Sequence, residues 1–238
     1  MSSKLTVAWM SSGVSSAVAT KLLLDKIDLI FYIHIEDQHE DSIRFIRDCE
    51  RWYNKKIHLL MSPYKTVENA IRAASFVNSP HGAPCTNFLK KRVRKEWEIT
   101  RTESLSYVWG MDYTEKKRAE RLCEAMPKQD HLFPLVEKKI SKESAHQILK
   151  ASGIKRPAMY DLGFPNNNCR VCVKGGMGYM NLCRKVFPEE FAERAKLERI
   201  IGASCINGIF LDELDPERGK QEGPICEECG IMCEIIKL

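Results

Sequence analysis

The chain has 238 residues, 44% of them apolar and 29% charged, with a net charge of +5. This reads as a soluble globular protein, and the charge is too mild to demand nucleic acid by itself. The longest purely apolar run, residues 29–33, is about five residues, which excludes a membrane span of ordinary length. The opening MSSKLTVAW lacks the apolar core of a signal peptide, so a cytoplasmic protein is expected.

Residues 5–24, LTVAWMSSGVSSAVATKLLL, organise the rest of the chain. An apolar, β-prone run leads into a small-residue turn at 11–16 and then into a helix with Ala17, Val18, Leu22 and Leu23 near a period of 3.6. A strand, a tight turn and a helix start make an anion cradle, because the first N–H groups of a helix lack partners and the dipole adds positive charge. Met10, Ser11, Ser12, Gly13, Val14, Ser15 and Ser16 are therefore candidate nucleotide-binding residues. The turn matches neither G-x-x-x-x-G-K-[ST] nor G-x-G-x-x-G. The plain alternative is a serine-capped helix after a first strand.

A second strand is expected at 29–35, ending in Glu36-Asp37-Gln38-His39, where Glu36 is placed to meet a ribose or base. A helix follows from Asp41-Ser42, turning Ile43, Phe45, Ile46 and Cys49 inward. A third strand is expected at 57–61 and a helix at 67–77, then a loop rich in breakers at 78–84. Cys85-Thr86-Asn87-Phe88-Leu89-Lys90-Lys91 opens another helix. Its continuation crowds Lys90, Lys91, Arg92, Arg94, Lys95 and Arg101 together, either a surface for nucleic acid or the solvated face of a helix. A fourth strand at 105–109 ends in Gly110-Met111-Asp112-Tyr113. A helix at 115–125 carries Arg118 and Arg121 nearly one turn apart. Alternating strands and helices predict an α/β fold, an open and mostly parallel sheet with helices on both faces.

The texture changes near Leu132, which divides a nucleotide-binding part, 1–131, from a cysteine-rich part, 132–238. Phe133-Pro134-Leu135 reads as extended, 141–152 as a capped helix, 174–178 as a glycine-rich loop and 188–201 as a helix. Of ten cysteines, Cys169, Cys172, Cys183, Cys205, Cys226, Cys229 and Cys233 fall in this second part. In a reducing compartment such clustering points to metal or catalysis rather than disulfides. Cys169 and Cys172 are spaced to chelate one centre, and thiolates suit iron–sulfur clusters and zinc. The alternative is buried free thiols.

Taken in order, four pieces carry a resemblance. They are the serine-rich turn, Cys85-Thr86-x-x-Leu89-Lys90, Gly110 with Glu115 and Arg118, and Phe133-Pro134-Leu135 followed by Gly153-Ile154, Tyr160, Gly163-Phe164 and Cys169-x-x-Cys172. With Glu228-Cys229-Gly230-Ile231 in the tail, the chain resembles the phosphoadenosine-phosphosulfate reductase family of the PP-loop, or adenine nucleotide α-hydrolase, superfamily. The stretch Cys169-Arg170-Val171-Cys172-Val173-Lys174-Gly175-Gly176 is similar to that of phage-encoded and DNA-modification relatives, among them ATP-dependent DNA phosphorothioation enzymes. The resemblance implies a Rossmann-like α/β/α sandwich binding ATP or an adenylyl sulfate, with magnesium as a companion ion. It implies a [4Fe–4S] cluster, with zinc as the alternative. Cys85, Cys169 and Cys172 would be ligands, with Cys183 or one of Cys226, Cys229 and Cys233 completing the set. Cys229 is also the candidate nucleophile, with Lys90 and Arg118 as catalytic cations and Arg121 as a nucleotide contact. Met232 stands where the family's tail has His, and Asp112-Tyr113-Thr114-Glu115 replaces its arginine-rich run. The functions implied are sulfonucleotide reduction or sulfur transfer, ATP-dependent adenylation and thiolation of a nucleic acid, or a nucleotide sensor with a structural metal. A homodimer is a further expectation.

Overall fold

The computed structural model describes residues 4–79, 82–206 and 208–220. Cys226, Cys229 and Cys233 lie outside the described residues.

Strands β1 (Lys4–Met10), β2 (Leu29–His34), β3 (Ile57–Met61), β4 (Ser104–Val108) and β5 (Asp130–Leu132) form one sheet in the order β3-β2-β1-β4-β5. Every pairing is parallel, with Val7 of β1 opposite Leu29 of β2 and Tyr107 of β4. The helices are α1 (Val14–Leu22), α2 (Asp41–Tyr53), α3 (Val67–Ala74), α4 (Pro84–Thr86), α5 (Arg92–Ile99), α6 (Lys116–Ala125), α7 (Pro134–Glu137), α8 (Lys142–Ala151), α9 (Ala158–Asp161), α10 (Met177–Val186) and α11 (Pro188–Ile201). The chain is thus an α/β protein built on a parallel sheet. None of its described helices is long and apolar enough to cross a membrane.

Helices cover both faces of the sheet, so its strands read as near-continuous apolar runs rather than as alternations. One face buries Ala8, Ile30 and Tyr32 against Val18 of α1, Phe45 of α2 and Leu149 of α8. The other buries Val7, Phe31 and Tyr107, with Trp97 of α5 packed on them. A second large cluster joins Ile71 of α3 to Phe164, Met180 of α10 and Phe191 of α11. Both large clusters draw residues from either side of residue 131.

Local chemistry explains several departures from the sequence expectation. Residues 133–135 are not extended: Pro134 opens α7, its fixed φ suiting the first helical position. The glycine-rich loop is shorter than expected, because α10 begins at Met177. The ring of Tyr179 lies across Gly175, where a Cβ would stand 2.1 Å from Tyr179 Cδ1. Helix α3 stops at Ala74, since Ser75 turns into the left-handed region at φ 56°. The fourth strand starts and ends one residue earlier than expected, and β5 and α9 carry too few residues to show a period. Between α4 and α5 the chain winds a π turn over Asn87–Lys91, which carries Lys90 and Lys91.

Candidate functional site

In an open parallel sheet the ligand crevice lies beyond the carboxyl ends of the strands, where the strand order reverses. Here that is the gap between β1 and β4, whose carboxyl ends lead into the 11–16 turn and Gly110. The two meet closely: a Cβ on Gly110 would stand 2.3 Å from Ser16 Cα and 2.6 Å from Ser16 N, so only glycine fits.

The start of α1 is not the serine-capped terminus of the plain alternative. Its N-cap is Gly13, and no side chain of the cap residue bonds to the helix. The backbone of Gly13 is extended (φ −102°, ψ 155°), and a Cβ there would make only ordinary 3.5 Å contacts with Ser11 Oγ and Tyr160 OH. Neither conformation nor packing demands a glycine. The N–H of Val14 donates to Tyr160 OH at 3.3 Å and that of Ser11 to Ser16 Oγ at 2.9 Å. The N–H groups of Ser15 and Ser16 have no hydrogen-bond partner among the described residues.

Ser12 plays a different part from its neighbours. It is 0% exposed, and its hydroxyl accepts from Gln38 Nε2 at 3.1 Å and from Asn167 Nδ2 at 3.0 Å. Asn167 Nδ2 also reaches Ser12 O at 2.6 Å and Ser42 Oγ at 3.1 Å. Gln38 in turn accepts from Tyr32 OH at 2.6 Å and from the N–H of Ile35 at 3.1 Å. Ser12 is thus the knot that ties the turn to β2, α2 and the 157–172 segment. Met10 and Val14 are buried, Ser11 is exposed, and Gly13 and Ser15 are half-buried.

The acidic end of β2 divides its work. Gln38, rather than Glu36, touches the turn. Glu36 is exposed and lines a polar cleft of about 220 Å³ with Asp37, Thr66, Arg170, Glu190 and Arg194. Asp37 caps α3 through the N–H of Val67 at 2.7 Å.

Gln38 also pairs its backbone with Cys169 in an isolated antiparallel bridge, which brings the cysteine segment beside the turn. Cys172 lies within electrostatic reach of Cys85, Cys169, Cys183 and Cys205. Burial pushes the Cys169 and Cys183 thiols up to about 12 and raises Cys85 and Cys205 too, while Lys90 pulls Cys169 and Cys85 back down. These sulfurs stay protonated at neutral pH unless a metal displaces the proton. No three His, Cys, Asp or Glu side chains among the described residues close into a single-ion site. One zinc ion holds its thiolates at about 2.3 Å, whereas a polynuclear cluster takes cysteines spread more widely. Thiols are the donor class that iron–sulfur clusters and zinc both take, and here they gather around Cys172.

Of the proposed cations, exposed Lys90 is the one beside the thiols. Arg118 is exposed and paired with Glu115, whose carboxylate also completes a capping box with Asp112. Arg121 is exposed and its Nε donates to Lys117 O at 3.3 Å. Neither arginine hydrogen-bonds to the turn. The basic segment splits likewise. Arg94 turns inward, 3.0 Å from Glu98 Oε1 and over the rings of Tyr107 and Trp109, and Arg101 lies over Trp97. Lys91, Arg92 and Lys95 face solvent.

Sequence reasoning passed over two buried groups. His146, 1% exposed, packs its ring at right angles to that of Tyr160, 4.5 Å between centroids. Arg194, 7% exposed, pairs with Asp37. The signal for Arg194 was legible: it sits on the α11 stripe of Phe191, Ala195, Leu197 and Glu198, a charge on a buried face.

No protein-family model matches this chain, and no curated protein matches its sequence.

Proposed function

We propose that the chain is a PP-loop enzyme of sulfur chemistry, similar to phosphoadenosine-phosphosulfate reductases. It binds an adenine nucleotide at residues 11–16 and Gly110 and carries an iron–sulfur cluster on Cys85, Cys169 and Cys172. Cys183, within reach of Cys172, or a tail cysteine completes the ligand set. The observation that carries the reading is Gln38, which hydrogen-bonds to Ser12 of the turn and pairs with Cys169 of the thiol group. It couples an anion-receptive helix start to a set of soft ligands at the crevice where an α/β sheet takes its substrates.

The roles follow from the chemistry of each group. The open N–H groups of Ser15 and Ser16, at the positive end of α1, receive phosphate oxygens. Gly110 lets the helix start approach the backbone beyond β4. Lys90 steadies anionic charge between phosphate and thiols. A cluster, when bound, supplies electron or sulfide chemistry beside the nucleotide. In the reductase form, the Cys229 thiolate attacks the sulfur of an adenylyl sulfate. A sulfur–sulfur bond forms, the sulfur–oxygen bond to the phosphate breaks, and the nucleotide leaves with that bond's electron pair.

Thiolation of a nucleic acid is the second reading, favoured by the solvent-facing Lys91, Arg92 and Lys95 on one helical segment. There ATP, rather than an adenylyl sulfate, is the substrate.

Anaerobic purification with iron and sulfide analysis tests the cluster. A brown protein with iron, colourless when Cys169 and Cys172 are both Ser, is expected; equal iron in the double variant refutes the ligand assignment. Calorimetry with ATP and with adenylyl sulfate tests the turn and separates the two readings, and no heat with either nucleotide removes it as a binding site.

A further inference from the structure

Arg194 poses a problem of its own. Its guanidinium cannot shed its charge, and at 7% exposure it has little water. Nη2 donates to Asp37 Oδ1 at 3.1 Å. Nε and Nη1 are sealed from solvent and have no partner among the described residues. A buried cation with two empty donor nitrogens is costly, and such groups persist where a ligand or redox centre completes them.

Its neighbours indicate what completes it. Part of the side chain lines the polar cleft, but the two empty nitrogens are closed to solvent, so an ion wandering into the cleft does not reach them. Cys183 and Cys205 share a buried cluster with Ala195 and Leu197 of α11, with Cys85 and Cys169 packed against it, and Asp37, the partner of Arg194, accepts through its backbone carbonyl from the N–H of Arg170 beside Cys169. Lys90 and Lys174 stand near the same thiols as cations, with Glu198 as an anion beside Cys205. A protonated thiol is a poor acceptor, whereas thiolate and sulfide on iron are anionic acceptors that draw charged N–H donors.

We infer that Arg194 is the buried counter-charge of the iron–sulfur centre, a positioning residue whose Nε–H and Nη1–H groups serve the sulfur atoms of the loaded site. Asp37 orients it by holding the third nitrogen. The inference rests on the proposal that the thiols hold a cluster. It adds a cation at a distance from the ligand motifs, carried on α11 rather than beside any cysteine pair.

The test compares wild-type protein with R194M, near in size and uncharged, after anaerobic loading with ferrous iron and sulfide. Iron content, the midpoint potential by dye-mediated titration, and the melting-temperature gain on loading are read for each. R194M should have a more negative midpoint potential, since reduction adds negative charge that Arg194 offsets. It should also gain less melting temperature on loading than the wild type. A purely structural arginine would lower the melting temperature of empty and loaded protein alike and leave the potential in place; that result overturns the inference while the cluster stands. A wild-type protein that takes up no iron overturns the cluster reading, and the inference with it. Should R194M fail to fold, R194Q, with polar donors and no charge, gives the same comparison.

Discussion

The 11–16 turn and the thiols gathered around Cys172 meet at Gln38, yet they are built in opposite ways. Around the turn the polar side chains of Ser12, Gln38, Tyr32 and Tyr160 have found protein partners. Around the thiols burial disfavours the thiolates of Cys85, Cys169, Cys183 and Cys205, and two nitrogens of Arg194 have no partner among the described residues. The difference teaches where each region gets its shape. The turn is preorganised by hydrogen bonds and needs no ligand to stand. If the thiols hold the proposed cluster, their energetic balance is completed by it, and stability should depend on loading.

The largest expected effect breaks the turn side. Gly110→Ala puts a methyl inside backbone atoms of Ser16, so α1 or the β4 end must move. A loss of about 3 kcal/mol or more is expected in urea unfolding, with iron uptake by the surviving folded protein little changed. A variant as stable as the wild type would mean that the close approach of turn and β4 is not needed.

The next effect sharpens the comparison through pH. Burial holds His146 at about 4, below its ordinary 6.5, with Arg156 and Lys142 also disfavouring the cation and Glu143 and Asp161 favouring it. Between those values the unfolded chain binds the proton and the folded one does not. Stability therefore falls as pH drops from 6.5 towards 4 and levels off below. The span is about 3 kcal/mol. Because folded His146 stays neutral down to about pH 4, its packing on Tyr160, whose hydroxyl receives the first N–H of α1, should be undisturbed over this range, and any effect on nucleotide affinity through His146 should appear only as pH falls through about 4. His146→Leu should flatten this component of the stability profile; an unchanged slope between pH 7 and pH 4 would place the proton elsewhere.

Asn167→Ala should cost about 2 kcal/mol, because it strips a donor shared by Ser12 O, Ser12 Oγ and Ser42 Oγ in a buried network. Nucleotide binding should weaken with it, by about tenfold in calorimetry. Retained affinity with lost stability would separate the turn's scaffold from its ligand surface.

The smallest effect lies outside both regions. Arg92 and Glu96 form an exposed pair 3.4 Å apart, so Arg92→Ala should change stability by no more than ~0.5 kcal/mol. The triple change at Lys91, Arg92 and Lys95 should leave nucleotide affinity intact while removing any binding to single-stranded DNA. Unaltered DNA binding would take this helix out of the nucleic acid reading.

Sequence by itself determined the elements that rest on local chemistry. The runs 29–33 and 57–61, the periodicity of α1 and α2, and the Ser141 cap of α8 are legible because strand and helix periods and caps are short-range properties. The turn at 11–16 was legible for the same reason. Tertiary structure decided what each residue of that turn does. Gly13 and Ser12 are neighbours of equal promise in the sequence, but Gln38 and Asn167 converge on Ser12 from two other segments and consume its hydroxyl, while among the described residues the N–H groups of Ser15 and Ser16 have no partner. It likewise brought Cys85 to Cys169 and Cys172, and turned Arg94 inward while Lys91 and Lys95 stayed in solvent. The physical reason is common to all three. Burial and partnership are set by which distant segments pack against a residue, and no local pattern carries that information.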